Sequence, residues 1–434
     1  MPSFESLESL ESWGRTPLAR QLVQPLRWRS EAPSFAQRPV LPRGQGRSYG
    51  DSCLNDGGVL LTTAALDHLI AFDAQTGVLR CEAGVTLGSL LEVAVPRGWF
   101  LPVLPGTQHV SVGGAIANDI HGKNHHQQGT FGRHLRRLEL LRSDGSRVET
   151  APGEARFAAT VGGLGLTGLV TWAELQLRPV SGPRLQSEAL HFRDLDEYLD
   201  LSRESDARCE YTVAWIDCLA RKPGRGIFFR GDHVAGDVRP PARRPQVPFD
   251  FPSFALNAFT VRAFNLGVRI ATRPGIKSVH YARFFFPLDA VPRWNRIYGK
   301  RGFFQFQCVV PETGAVRKIL QRVARAGAGS FLSVLKTFGD LPSPGMLSFP
   351  RQGLTLTLDF ANRGAQTTAL LALLEREVRD AGGALYPAKD ALMSREMFLA
   401  SYPRLDEFTP HLDPAFSSSF WRRVNALPSS TGTA

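Results

Sequence analysis

"RGQGRSYGDS" (residues 43–52) sets three glycines around Arg47, Ser48 and Tyr49, with Asp51 close behind. Glycine adopts backbone conformations closed to other residues and lets a chain come very near a ligand. The stretch is therefore either a tight turn or a place where backbone N–H groups wrap a phosphate. A second stretch has the same character. "LPGTQHVSVGGAIANDIHGKNHHQQGTFG" (104–132) holds Gly106, the pair Gly113-Gly114 and the small residues Ala115 and Ala117. Two such loops, both carrying hydroxyls and N–H groups, suit clamping a pyrophosphate from two sides.

A literal G-x-G-x-x-G also occurs, from Gly163 to Gly168. It follows "EARFAATVG", which reads as a helix, and precedes the strand "LVTWAELQL". A Rossmann-type dinucleotide site needs the reverse order, so that reading is rejected. The histidines His121, His125, His126 and His134 invite a metal. Beyond Asp119, no carboxylate or thiol sits at ligand spacing, and the segment is not helical, so no metal is assigned.

The outer frame is that of a two-domain globular protein. The chain has 434 residues, more than one small core organises. Its formal charge of +11 favours an anionic partner such as a phosphate ligand or an anionic membrane surface, although an Arg-rich surface of no particular purpose gives the same total. No nucleic-acid motif is present, so nucleic acid is not expected as a partner. Five scattered cysteines without CxxC spacing predict no disulfide framework and a reducing compartment. The first residues do not resemble a signal peptide, and no apolar run reaches about 18 residues. A cytoplasmic protein, or one held peripherally at the inner membrane, is the expectation.

Along the chain, residues 1–30 read as a helical or irregular lead-in. Hairpins are predicted around Gln75-Thr76-Gly77 and at Asp144-Gly145, and a helix in "TLGSLLEVAV" with a Thr start. From about Pro183 the pattern changes. "EYTVAWID", "GIFFRG", "SVHYARFFFPL", "FFQFQCVVP", "FLSVLKTFG" and "GLTLTLDF" read as strands, with helices in "TGAVRKILQRVARAG" and "TTALLALLEREVRDAGG" between them. This predicts an antiparallel sheet covered on one face. After "ALYPAKD" the chain returns to helices, and the tail "LPSSTGTA" reads as disordered. One connection, "VRPPARRPQVPFDFPSFALNAFTVRAFNLGVRI" (238–270), turns from Pro and Arg to apolar residues interspersed with Arg. It reads either as a surface for lipid headgroups or as a core helix after a mobile loop.

The two glycine loops together resemble the flavin-binding signature of the vanillyl-alcohol oxidase-type (PCMH-type FAD-binding) superfamily. "GGAIANDIHGKNHH", "SWGRTPLAR", "EYTVAWIDC", "WNRIYGKRGFFQFQCVVP", "VLKTFG", "LSFP" and "LYPAKD" are similar, in that order, to the decaprenylphosphoryl-ribose oxidase subfamily, the flavin subunit of an epimerase. The resemblance implies an α+β fold. An FAD-binding domain would span 1–183 and a substrate domain 184–384, with the segment 385–434 returning to the first. It implies FAD, with Pro42, Arg43, Gly44, Gln45, Gly46, Arg47, Ser48, Tyr49, Gly50, Asp51 and Ser52 around the pyrophosphate. Gly106, Ser111, Val112, Gly113, Gly114, Asn118, Asp119, Ile120 and His121 would approach from the other side. Gly168, Val170 and Tyr386 would lie near the flavin or adenine. Covalent members often carry a flavin-linked His where Arg47 stands, which implies FAD held without a covalent bond.

For the substrate, the resemblance places Tyr298, Gln305, Gln307, Lys336, Thr355, Thr357 and Lys389 around the reacting sugar, with His121, Lys389 and Tyr49 as catalytic residues. Gln305 and Gln307 fit on their own terms, since alternation in a strand puts both amides on one face and Phe304 and Phe306 on the other. A polar sheet face of no special purpose has the same pattern. Lys336 and Lys389 each read as lying at the end of an apolar strand, where a cation can hold a phosphate or stabilise anionic reduced flavin. The mycobacterial members have a cysteine at the place of Thr357 and an amide at that of Thr355. The implied activity is oxidation of the 2′-hydroxyl of a decaprenylphosphoryl ribose, with an NAD(P)H-dependent ketoreductase as partner and a membrane surface nearby. A soluble alditol or aldonolactone oxidase using oxygen, and a non-catalytic flavin-bound scaffold subunit, are the competing readings.

Overall fold

Two hairpins shape the first half of the chain. Leu69–Asp73 and Val78–Glu82 pair antiparallel across a turn in which the Asp73 carboxylate accepts from the N–H groups of Gln75 and Thr76. Leu135–Leu141 and Arg147–Thr150 pair across Asp144-Gly145, with Gly145 at φ +84°. Leu169–Gln176 joins the hairpins into a five-stranded antiparallel sheet. Helix Leu87–Ala94 packs beside it and starts at Thr86, whose hydroxyl accepts from the Ser89 N–H. The computed structural model describes residues 10–31, 33, 35, 38–220, 222–237, 245–252 and 255–426. The tail read as disordered and residues 238–244 and 253–254 of the Pro/Arg-rich connection lie outside the described residues.

A small parallel sheet precedes the hairpins, in the order Leu22–Pro25, Val59–Thr62, Val40–Arg43. The expected helical or irregular lead-in is thus partly strand. Its partner is almost forty residues away, and parallel pairing of distant segments leaves little trace in a four-residue strand.

At Arg184 an eight-stranded sheet begins. Its order is Gly275–His280, Arg184–Phe192, Gly226–Val234, Tyr211–Ile216, Ser333–Phe338, Gly353–Ala361, Phe303–Val310, Ala384–Leu385, and all neighbours are antiparallel. One face packs against helices Leu195–Asp206, Thr313–Arg325 and Ala365–Asp380. Phe304, Phe306, Cys308, Leu354, Leu356 and Leu358 share a core there with Val316, Ile319 and Leu374. "SVHYARFFFPL" is only half strand, because Tyr281–Phe285 is a helical turn. His280 caps that turn by accepting from the Ala282 N–H, and Phe284 and Phe285 are buried in the core of the five-stranded sheet. Aromatic residues with strand propensity are here overridden by capping and tertiary packing.

The last segment contacts the strand and loop around the first glycine stretch. Val40 N–H donates to Ala415 O, and Arg423 forks onto Asp51 at 2.8 Å through both nitrogens. All five cysteines are free thiols. Among the described residues no helix is long and apolar enough to cross a membrane.

Candidate active site

The two glycine loops touch. A Cβ on Gly44 would sit 2.1 Å from Ser111 Oγ, so only glycine permits this approach. Ser111 caps the short helix Val112–Ala117 by accepting from the Gly114 N–H. A Cβ on Gly50 would lie 1.8 Å from Asp390 O, so the first loop also presses on the segment after Lys389. Gly46 has φ +59°, whereas Gly106 faces open space.

Several loop side chains point away from the gap and brace it. Arg43 donates to the carbonyls of Leu10 and Glu11. Asp51 is held by Arg423. Asp119, at φ +37°, accepts from the Gly132 N–H at 2.8 Å and from Ser348 Oγ at 2.5 Å. Burial raises its carboxyl to about 6. Pro42 lies within the parallel strand Val40–Arg43, and Tyr386 OH donates to Asn118 O at 2.9 Å. Val112, Ile120 and Val170 share the core of the five-stranded sheet, and Gly168, at φ +135°, opens the strand that carries Val170. With these side chains turned away, what the loops present is mostly backbone.

The opposite wall is the uncovered face of the large sheet. The register sets Gln305 opposite Asp359, Gln307 opposite Thr357, and Lys336 opposite Thr355. With a side-chain period of two, all six project from one face. Lys336 lies inside its strand, not at the end as expected, and its Nζ donates to Gly122 O at 3.3 Å. Cys308 points to the other face, as the alternation predicts.

His121 closes the corner between loops and sheet. Gln307 Nε2 lies 2.8 Å from His121 Nε2 and 3.2 Å from Thr355 Oγ1. The histidine ring packs among Phe338, Phe349 and Tyr386. Burial, with Lys336 adding to it, pushes the imidazole well below the usual histidine range, so the ring is neutral. With the Gln307 amide nitrogen donating to it, the ring accepts at Nε2 and carries its proton on Nδ1. The other histidines face elsewhere: His125 packs on Phe338, and His126 and His134 meet the carbonyls of Cys209 and Gln128.

At the other end of the face, Lys389 Nζ lies 3.9 Å from the Tyr49 ring centroid. Burial lowers this lysine to about 7. Burial also pushes the Tyr49 hydroxyl well above its ordinary range, which keeps it a phenol. Asp359 is the residue that the sequence reading missed. Its carboxylate accepts from Gln305 Nε2 at 2.6 Å and from Tyr298 OH at 3.3 Å, and burial raises it to about 7. The signal was there, because the alternation that selects Thr355 and Thr357 continues to Asp359.

Buried polar atoms are almost always paired. Arg47 Nε, Ser52 Oγ, His121 Nδ1 and Gln305 Oε1 are not, among the described residues. These orphans belong to the loops and the facing strand, as expected where a polar cofactor and substrate fit. Arg47 stacks its guanidinium 4.4 Å over Trp13, and no histidine occupies its place.

Residues 30–151, which hold both loops as far as Gly132, match the FAD binding domain family. The decaprenylphosphoryl-beta-D-ribose oxidase of Mycolicibacterium smegmatis is 36% identical over 451 residues, covering 96% of this chain and 97% of that one. The chain belongs to the decaprenylphosphoryl-β-D-ribose oxidase family. It is an FAD-dependent oxidoreductase of the PCMH-type, α+β class. An alditol oxidase from a Streptomyces species is 37% identical over 141 residues, 32% of this chain and 34% of its own. A D-lactate dehydrogenase of Archaeoglobus fulgidus is 30% identical over 149 residues, 32% and 33% of the two chains. The similarity to the oxidase extends over both halves of the site, the loops and the sheet face, whereas the similarity to the alditol oxidase and to the lactate dehydrogenase covers about a third of the chain.

Proposed function

We propose that the chain oxidises the 2′-hydroxyl of a decaprenylphosphoryl-β-D-ribose to the 2′-ketone. This is the first half of an epimerisation that a separate NAD(P)H-dependent reductase completes, at a membrane surface that holds the lipid. The observation that carries the reading is the single sheet face on which Gln305, Gln307, Lys336, Thr355, Thr357 and Asp359 stand together, facing His121 and the flavin loops.

Each group has a task that its environment permits. The amides and hydroxyls of the face suit the hydroxyls of a pentose. Burial lowers Lys336 to about 8, so it is mainly cationic at neutral pH and suits the substrate phosphate. FAD, when bound between the loops, supplies the hydride acceptor for the carbinol hydrogen. The hydroxyl proton must leave as well. Lys389 takes it, since an amine titrating near 7 is free often enough to accept a proton and basic enough to hold it. Tyr49 and neutral His121 donate hydrogen bonds and orient the sugar. FAD is held without a covalent link, with Arg47 on Trp13 at the position in question.

Two measurements test this. Under anaerobic conditions a polyprenylphosphoryl ribose should bleach the flavin, while free alditols or aldonolactones should not. Oxygen turnover on the free sugars with no response to the lipid-linked one would replace the reading with an alditol-type oxidase. Acid precipitation should release all yellow colour into the supernatant; flavin fluorescence left in the pellet would contradict the non-covalent assignment.

A further inference from the structure

Helix Ala258–Ala271 turns an apolar ridge to water. Phe259, Leu266 and Ile270 are exposed by 78, 58 and 69%. At 3.6 residues per turn these positions fall within about 40° of one another. The helix itself is well anchored. Asn257 and Thr260 form a reciprocal capping box, Asn265 Nδ2 donates to Asp217 Oδ1 at 2.8 Å, and Phe264 sits edge-on to Phe331. The ridge is thus a fixed feature of the surface, not a frayed end. Its successor, Gly275–His280, is the outermost strand of the large sheet and adds Ile276, 60% exposed. Large apolar side chains grouped in this way mark an interaction surface.

The charge around the ridge selects the partner. From Phe251 to Leu288 the sequence holds Arg262, Arg269, Arg273, Lys277 and Arg283 and not one Asp or Glu. Arg262 and Arg269 fall about 60° and 80° to one side of the ridge. An apolar ridge with one-sided positive charge complements an anionic bilayer, with apolar groups at the acyl boundary and cations among phosphates.

We propose that helix Ala258–Ala271 and the edge strand Gly275–His280 dock on an anionic phospholipid surface. The docking does not rest on the lipid-linked substrate proposed above.

The test uses the FAD-loaded full chain and sedimentation with two kinds of vesicle, phosphatidylcholine alone and phosphatidylcholine with phosphatidylglycerol. The protein should sediment with the anionic vesicles and be released by salt. The triple variant Phe259→Ser, Leu266→Ser, Ile270→Ser should lose about tenfold or more in partition while keeping its flavin spectrum and Tm. Its flavin should still be reduced normally by a short-chain, water-soluble prenylphosphoryl ribose, but more slowly by the decaprenyl substrate in vesicles. Wild-type protein that stays in the supernatant overturns the proposal, as does a variant that sediments equally. So does a ridge variant that only dissociates a homodimer. If neither substrate bleaches the flavin while sedimentation still follows the ridge, the substrate reading falls and the docking stands.

Discussion

The glycine loops and the polar sheet face meet at one site and reach it by opposite means. In the loops, charged side chains turn outward as braces: Arg43 to the lead-in, Asp51 to Arg423, Asp119 to Ser348. What remains for the cofactor is mostly backbone at close range. In the sheet, the backbone is consumed by ladder hydrogen bonds and the side chains do the work, delivered in alternate positions. A loop of the first kind is sensitive to shape and tolerant in chemistry. A face of the second kind is the reverse. Substitutions should therefore fail differently in the two regions.

The largest effect is expected on the chemical side. Lys389→Ala should keep the fold and the flavin but slow flavin reduction on the order of a hundredfold or more, several kcal/mol of barrier. Near-normal reduction would remove Lys389 from the chemistry. On the shape side, Gly50→Ala should do what no sheet-face variant does. A Cβ 1.8 Å from Asp390 O meets backbone that has no rotamer to yield. We expect lower flavin content and a loss of about 1–3 kcal/mol in unfolding free energy. Flavin content and Tm unchanged from wild type would show that the contact is slack.

A subtler effect separates the two buried titrating groups. Burial lowers Lys389 to about 7 and raises Asp359 to about 7. The amine that accepts the proton gains population as pH rises through about 7, so flavin reduction should rise across that window and then level. The Asp359 carboxylate favours the ammonium form of Lys389. Asp359→Asn removes that attraction, so the midpoint should move to lower pH, by on the order of one unit. A midpoint that stays or moves up would contradict the coupling. The smallest expected effect is none: electrophiles aimed at an active-site thiol should leave no adduct by intact mass. Thr355 and Thr357 offer hydroxyls, and Cys308 faces the core with its thiol pushed up to about 12. Thr357→Cys should create the adduct, and labelling at Cys308 instead would show that the strand register is wrong.

What could be read from the sequence follows from how local each determinant is. The hairpins at Gln75-Thr76-Gly77 and Asp144-Gly145 and the Thr86 cap are set by neighbouring residues, and all were legible. So was the shared face of Gln305 and Gln307, which needs only a period of two. The glycine loops were legible as a pair through resemblance, but not which of their atoms face inward. That Asp51 and Asp119 turn away depends on Arg423 and Ser348, hundreds of residues distant, and the turning of Arg43 depends on the carbonyls of Leu10 and Glu11. The same non-locality hid the parallel strand Leu22–Pro25 and the helical turn Tyr281–Phe285. Asp359 falls on the alternation that selects Thr355 and Thr357, but its burial depends on its pairing with Gln305, more than fifty residues away.

The central claim is that the hydrogen on the 2′-carbon of a lipid-linked ribose leaves at this site while Lys389 takes the hydroxyl proton. Anaerobic stopped-flow reduction of the flavin by polyprenylphosphoryl ribose deuterated at single positions tests it most directly. Deuterium at the 2′-carbon should slow bleaching severalfold, and deuterium at the 1′- or 3′-carbon should leave it unchanged. Equal rates for the 2′-deuterated and unlabelled substrates, with slowing from another position, would contradict the account.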